Sequence, residues 1–232
     1  MKYLIWDFDG TLGYRDGGAW AASLLEVLDG ALPSHAVTLD QLRPFLQAGL
    51  PWQEADRPHP HLTSADAWWS AILPILERAY LGVGLDAASA RALAGHFRSV
   101  YLTLDRWRLY DDVLPTMDAL AAQGWMHIIL SNHVPELGDI VEHLSLGPYI
   151  GRLFNSAETG YEKPHPRAFH MILETIPDME SVWMIGDSFH ADILGAQAVG
   201  LSTILVRRPH PDAARYCASL ADVPAMITAE KA

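Results

Sequence analysis

Residues 4–11 read Leu-Ile-Trp-Asp-Phe-Asp-Gly-Thr, an apolar run that ends in two aspartates two positions apart. Taken as a strand over residues 3–8, the run is apolar on both faces, as a strand inside a parallel sheet must be. A strand has a side-chain period of two, so Asp7 and Asp9 start on one face, where the apolar run gives out. Gly10 and Thr11 then turn the chain away. Two carboxylates held that close repel each other unless a cation or a shared proton compensates. The stretch therefore predicts a buried strand that delivers acid groups to the edge of a sheet.

The pattern recurs further along. His127–Leu130 (HIIL) is followed by Ser131-Asn132, and Val182–Ile185 (VWMI) by Gly186-Asp187-Ser188. Ser202–Val206 (STILV) is the last clear strand, and Leu153–Asn155 a short one. Helical patterns lie between them. They run through Val113–Gln123 up to Gly124, near Glu136–Leu144, from Pro164 and Pro166 to about Thr175, and over His190–Val199 up to Gly200. Asp111 or Asp112 is placed to cap the first of these. Strands alternating with helices predict βαβ units and a Rossmann-like, doubly wound parallel sheet.

Residues 19–108 have a different texture. Helical patterns occur at Ala19–Leu28, Ala65–Tyr80 and Ala87–Leu102, no strand signal stands out, and Pro51–Pro60 reads as a turn-rich linker. The expected organisation is an α/β core over residues 1–14 and 109–232 with an inserted α-helical cap domain over 15–108. The chain would cross between them at Gly13–Gly18 and about Trp107–Asp112.

Half of the 232 residues are hydrophobic, enough for one large domain or a core with an insertion. Sixteen basic against 28 acidic residues give a net charge of −12, which argues against a nucleic-acid partner and is compatible with a divalent cation. Cys217 is the only cysteine, so an intrachain disulfide and a Cys-based zinc site are excluded. This fits a reducing cytoplasm. The N-terminal apolar run is too short for a signal peptide, and no segment approaches the roughly 20 apolar residues of a membrane helix. The expectation is a cytoplasmic protein with no membrane or nucleic-acid partner.

Open α/β sheets bind ligands at the carboxyl ends of their strands. The fold would gather Asp7, Asp9, Ser131, Asn132, Asp187 and Asp192 on that rim. Lys163, in Gly160-Tyr161-Glu162-Lys163-Pro164, precedes a helix there. Asp7, Asp187 and Asp192 suit a hard divalent cation with oxygen ligands, of which Mg²⁺ is the usual choice. Lys163 and the Ser131 hydroxyl suit an anion such as phosphate. An ionised carboxylate needs no general base to attack phosphorus and form an aspartyl-phosphate. A metal and Lys163 would shield the repulsion between the two anions.

These segments resemble the four motifs of the haloacid dehalogenase-like (HAD) hydrolase superfamily, in order and after the expected elements. Asp7-Phe8-Asp9-Gly10-Thr11 resembles the first, Ser131 the second, Lys163 the third, and Gly186-Asp187 with Asp192 the fourth. The resemblance covers residues 1–14 and about 109–207. The insertion resembles the helical cap of subfamily I in position and helical character only. The resemblance implies that Asp7 is the nucleophile. Asp9 would be the general acid/base that protonates the leaving oxygen and later activates water. Ser131 and Lys163 would bind the phosphoryl group, Lys163 also steadying Asp7, and Asn132 would shape the phosphate loop. Asp7, the Asp9 backbone carbonyl and Asp187 would hold Mg²⁺, with Asp192 acting behind them or through water. The implied activity is Mg²⁺-dependent hydrolysis of a small phosphomonoester, a phosphorylated metabolite, through an aspartyl-phosphate.

Asp9 separates ester from haloacid chemistry, because an alkoxide leaving group needs a proton and a halide does not. A positioned acid is worth about 10²–10⁴-fold. Lys2, Lys163 and Lys231 are the only lysines, so the expected cap has none for the Schiff base that phosphonate-cleaving relatives use. A phosphomutase acting on a sugar phosphate shares every core residue named and stays open as an alternative. So does a catalytically silent binding or regulatory protein on the same scaffold.

Plainer readings stand beside these. Asp187 could simply cap helix 190–199, Asp192 could favour its dipole, and Lys163 could be a solvated loop lysine. His59 and His61 could suggest metal binding, but without nearby partners they are expected in a solvated Pro-rich loop; Trp68-Trp69 is expected in packing, with a substrate-facing role as the alternative. Arg57, Arg106 and Arg108 could reach a substrate anion or lie on the surface. Arg207-Arg208 reads as an exposed basic pair, and Cys217 as structural.

Overall fold

The computed structural model describes residues 1–62 and 64–228; Lys231 lies outside them. Its strands are β1 (Lys2–Trp6), β2 (Gly13–Arg15), β3 (Trp107–Leu109), β4 (Trp125–Ser131), β5 (Ile150–Asn155), β6 (Ser181–Gly186), β7 (Ser202–Val206) and β8 (Tyr216–Cys217). The main sheet has the order β5-β4-β1-β6-β7-β8, and every neighbouring pair is parallel. β1 sits between β4 and β6, with Trp6 opposite Ile129 and Ile185.

That central position explains its composition. Leu4, Ile5 and Trp6 are fully buried. Leu4 and Trp6 join the apolar cluster on one face of the sheet, Tyr3 and Ile5 the cluster on the other. A strand covered on both sides has no room for the polar alternation of a half-exposed one.

Helices cover both faces. They are α1 (Trp20–Ala31), α2 (Leu39–Leu42), α3 (Ala65–Gly82), α4 (Ala87–Tyr101), α5 (Val113–Ala122), α6 (Leu137–His143), α7 (Ser156–Thr159), α8 (Pro166–Leu173), α9 (Gly195–Ala198) and α10 (Val223–Thr228). On one face lie Val113, Met117 and Leu120 of α5 with Leu137 and Ile140 of α6; on the other lie Phe169 and Ile172 of α8 with Ala196 of α9. The sheet is thus doubly wound. Among the described residues no helix is long and apolar enough to cross a membrane.

α1 to α4 all fall between β2 and β3, which pair antiparallel as Gly13↔Leu109 and Arg15↔Trp107. These two short strands carry the chain out of the sheet region and back. Arg15 is buried at the crossing and is used up there, on Glu26 at 2.8 Å and on the carbonyls of Val100 and Tyr101.

The elements depart from expectation in a few places. β1 ends at Trp6, so Asp7 and Asp9 lie in the loop beyond it. β2 occupies part of the Gly13–Gly18 crossing. Pro51–Glu54 is a 3₁₀ turn, and the segment after it packs against the core. Phe189–Leu194 is a π-helical turn that continues as α9. Such turns occur often at functional sites. Asp112 stands at the N-cap position of α5, but its side chain makes no capping bond. It accepts instead a bidentate pair from Arg207 (2.7 and 2.8 Å), Ser219 Oγ and the Leu220 amide. Arg207 is accordingly no exposed basic residue; only Arg208 is.

Candidate active site

The carboxyl ends of β1, β4 and β6 lie side by side, and the loops leaving them hold most of the polar groups of the site. The Asp7 amide donates to Ile185 O of β6 at 2.9 Å, which fixes the turn into the loop. Gly10 follows with φ +85°, a conformation that favours glycine. A Cβ there would lie 2.5 Å from Asp187 Oδ2, so the position has neither the dihedral nor the space for a side chain.

Lys163 stands at the centre. Its Nζ donates to Asp7 Oδ1 at 2.7 Å and to Asp192 Oδ1 at 2.6 Å, and it is 2 % exposed. Burial alone would discharge this lysine, but Asp192 and Asp7 outweigh that and hold its pKa above the ordinary lysine value. The solvated-loop reading therefore fails. Asn132 fixes the lysine's backbone from both sides, donating through Nδ2 to Lys163 O (2.8 Å) and accepting from Lys163 N (2.7 Å). Ser131 Oγ donates to Asp7 Oδ1 at 3.2 Å, and Thr11 Oγ1 to Asp7 Oδ2 at 3.4 Å.

Asp192 does not act merely on a helix dipole. It is 1 % exposed, bonds Lys163, and accepts the Ser188 amide at 2.9 Å. The capping reading of Asp187 also fails, because Ser188 is the N-cap and accepts from Ala191 N. The Asp187 carboxylate faces the site and meets Arg208 Nε at 3.2 Å.

Ligand oxygens of Asp7, Asp187 and Asp192 lie within 4.8 Å of one another. Three carboxylates that close, with one lysine among them, form a donor set that fits a hard divalent cation. Asp9 is not one of the three. Its carboxyl is pushed up to about 7 by burial and by the charges of Asp7 and Asp187, against Arg208. Asp187 is likewise raised, to about 6, by burial and Asp7. The site thus separates an aspartate held by an ammonium from one that can carry a proton near neutrality.

Above this floor lies a cavity of about 670 Å³. Its far wall comes from the helical segment between β2 and β3: Trp20, Trp52, Tyr101, Glu54 and Asp56. Arg57, Arg106 and Arg108 do not line it; they pair with Glu54, Glu26 and Asp16. Trp68 and Trp69 are buried in packing, and Cys217 is buried and free.

Two residues have surroundings that the sequence did not indicate. His59 is 6 % exposed rather than solvated, and its Nε2 bonds Glu162, the neighbour of Lys163, at 2.9 Å. His61 is exposed as expected. His133 packs between Phe8 and Trp107 beside the site, with no hydrogen-bond partner on either ring nitrogen, and burial holds its pKa down at about 4.

The family of haloacid dehalogenase-like hydrolases matches residues 1–200, and the chain belongs to that family of enzymes. Haloacid dehalogenase-like hydrolase domain-containing protein 3 of Bos taurus is 28% identical over 153 residues, 65% of this chain and 60% of its own length. Ribulose-1,5-bisphosphate 5-phosphatase of Halopiger xanaduensis is 36% identical over 118 residues, 50% of this chain and 48% of its own. The chain thus spans about half to three-fifths of these curated relatives. In fold it is similar to the magnesium-bound HAD-hydrolase YfnB of Bacillus subtilis, with a TM-score of 0.72 at 22% identity over 97% of this chain and 98% of that one.

Proposed function

We propose that the protein is a Mg²⁺-dependent phosphatase that hydrolyses a small phosphomonoester through an aspartyl-phosphate on Asp7. The observation that carries this reading is the triangle of Asp7, Lys163 and Asp192, buried together with Asp187 alongside. It presents one carboxylate oxygen and a fixed ammonium where a phosphoryl group would arrive. Relatives named as ribulose-1,5-bisphosphate 5-phosphatase, glyceraldehyde 3-phosphate phosphatase and phosphoglycolate phosphatase are consistent with it.

In this reading Asp7 attacks phosphorus with the Oδ that Lys163 and Ser131 do not hold. Lys163 and Ser131 orient the other oxygen and bind the phosphoryl oxygens. Asp9, whose carboxyl is raised chiefly by burial, gives its proton to the leaving oxygen and takes one from water in the second step. Asp7 and Asp187, with the Asp9 carbonyl, would hold Mg²⁺, and Asp192, spent on Lys163 and the Ser188 amide, would act behind them. The cation supplies charge neutralisation at the phosphoryl oxygens. The segment 15–108 acts as the cap, keeping water from the site during the first step.

The test uses p-nitrophenyl phosphate with Mg²⁺ or with EDTA, and the variant Asp7→Asn. Turnover should need Mg²⁺, and the variant should lose at least about 10³-fold while its circular dichroism is retained. Substantial activity in Asp7→Asn would sink the mechanism.

A further inference from the structure

Resting on that phosphatase reading, we propose that the cavity selects phosphomonoesters whose leaving group carries a flat aromatic ring and no second negative charge, as a nucleoside does. With the phosphoryl group held at Lys163 and Ser131, the leaving group must project toward the opposite wall. That wall is aromatic and acidic. Trp20 and Trp52 are both half-buried, and both line the cavity. Their ring centroids are 5.1 Å apart at an interplanar angle of 55°. Rings in contact leave no gap for an ammonium group to enter between them, and at this tilt each offers its own plane, on which one flat ring can stack. Trp20 is also backed by Phe97 and Tyr101, at 5.3 and 5.2 Å, which fixes its plane. A ring laid on such a surface gains the sequence-tolerant stacking that proteins use for nucleobases.

Charge supplies the second half of the argument. Glu54 and Asp56 stand on the same wall. Among the described residues, no lysine or arginine of 15–108 lines the cavity. Arg57 is spent on Glu54 at 2.9 Å and is 81% exposed. Lys163, on the floor, is already shared by two carboxylates. A leaving group bearing a carboxylate or a second phosphate would approach Asp56 and the Arg57-paired Glu54, and among the described residues that line the cavity it would meet no lysine or arginine besides Lys163. One bearing hydrogen-bond donors would find acceptors. Size agrees: about 670 Å³ lies in the usual range for ligands far larger than a two-carbon alcohol.

The experiment compares esters of primary alcohols, so that leaving-group chemistry is similar: uridine and adenosine 5′-monophosphates, glycerol 3-phosphate, phosphocholine and 2-phosphoglycolate. The expected order of kcat/KM places the nucleotides at least about tenfold above the other three. Trp52→Ala should remove most of that advantage over glycerol 3-phosphate, a loss of about tenfold by the usual scale of base stacking. The double variant Glu54→Lys, Asp56→Lys, at two exposed positions, should raise 2-phosphoglycolate severalfold relative to glycerol 3-phosphate. Best turnover of 2-phosphoglycolate or phosphocholine would overturn the proposal while leaving the phosphatase reading intact. No turnover of any ester, p-nitrophenyl phosphate included, would overturn the phosphatase reading itself.

Discussion

Asp7 and Asp9 are two residues apart, yet their carboxylates have opposite electrostatic surroundings. Asp7 accepts from Lys163, Ser131 and Thr11. Asp9 has burial and two neighbouring acids raising its pKa and only Arg208 opposing them. In the proposed mechanism such a split suits a nucleophile and a proton donor. If Asp9 donates the proton, its replacement matters in proportion to how badly the leaving group needs one. Asp9→Asn is therefore expected to slow an alkyl phosphate by about 10²–10⁴-fold and p-nitrophenyl phosphate far less. Steady-state rates on the two esters decide this, and equal slowing would rule out the donor role. The candidate site residues were legible in the sequence because most of them stand where an apolar strand stops or just before a proline. His59 and Glu162 were not. They are 103 positions apart, and nothing local to either marks a buried contact.

At the scale of elements, legibility followed length and periodicity. α3 and α4 begin at the residues expected from pattern alone, Ala65 and Ala87, and end within two residues of expectation. β2, β3 and β8 have two or three residues each, too few to show a period, and only pairing defines them. The departure at α5 has an energetic consequence. Asp112 gave up the capping role for a bridge that ties α5 to the segments after β7 and β8 through Arg207, Ser219 and Leu220. Burial raises its pKa, but the bonds from Arg207 and Ser219 outweigh that and bring it from 3.8 to about 2. A carboxyl lowered on folding stabilises the protein above its unfolded pKa, and that contribution is lost as pH falls through the folded one. Asp112→Asn should therefore cost about 1–2 kcal/mol at pH 7, discounted for the partial exposure of the pair. The gap between variant and wild type should shrink as pH falls from about 4 toward 2. Urea unfolding at neutral and acidic pH measures both, and a gap independent of pH would refute the account.

For the whole molecule, the question is how the helical segment is held over the site. Polar contacts cross from it to the core at Asp105, which lies 3.7 Å from His143, and at two places nearer the site. Glu136, just before α6, accepts from Trp69 Nε1 at 3.1 Å and from Arg98 Nη2 at 2.6 Å. His59 meets Glu162 at 2.9 Å beside the lysine, and its amide donates to Gly160 O at 2.8 Å. The backbone fits closely there, since a Cβ on Gly160 would lie 2.5 Å from Pro60 Cα. Both contacts spend charged or buried groups at the closed boundary, so opening it must release them. Hydrogen bonds to a charged group are worth about 1.5–3 kcal/mol each, more than the fluctuations of an ordinary loop cost. If residues 15–108 move as a cap, Glu136→Ala lowers the free energy of opening without touching the sheet. Amides of α3 and α4 should then exchange about tenfold faster or more, while those of β1, β4 and β6 keep their protection. The KM for an ester should rise in parallel, because substrate must close the boundary that Glu136 no longer holds. A uniform rise in exchange across cap and sheet would instead mean that the two unfold as one unit, and that Glu136 serves stability rather than closure.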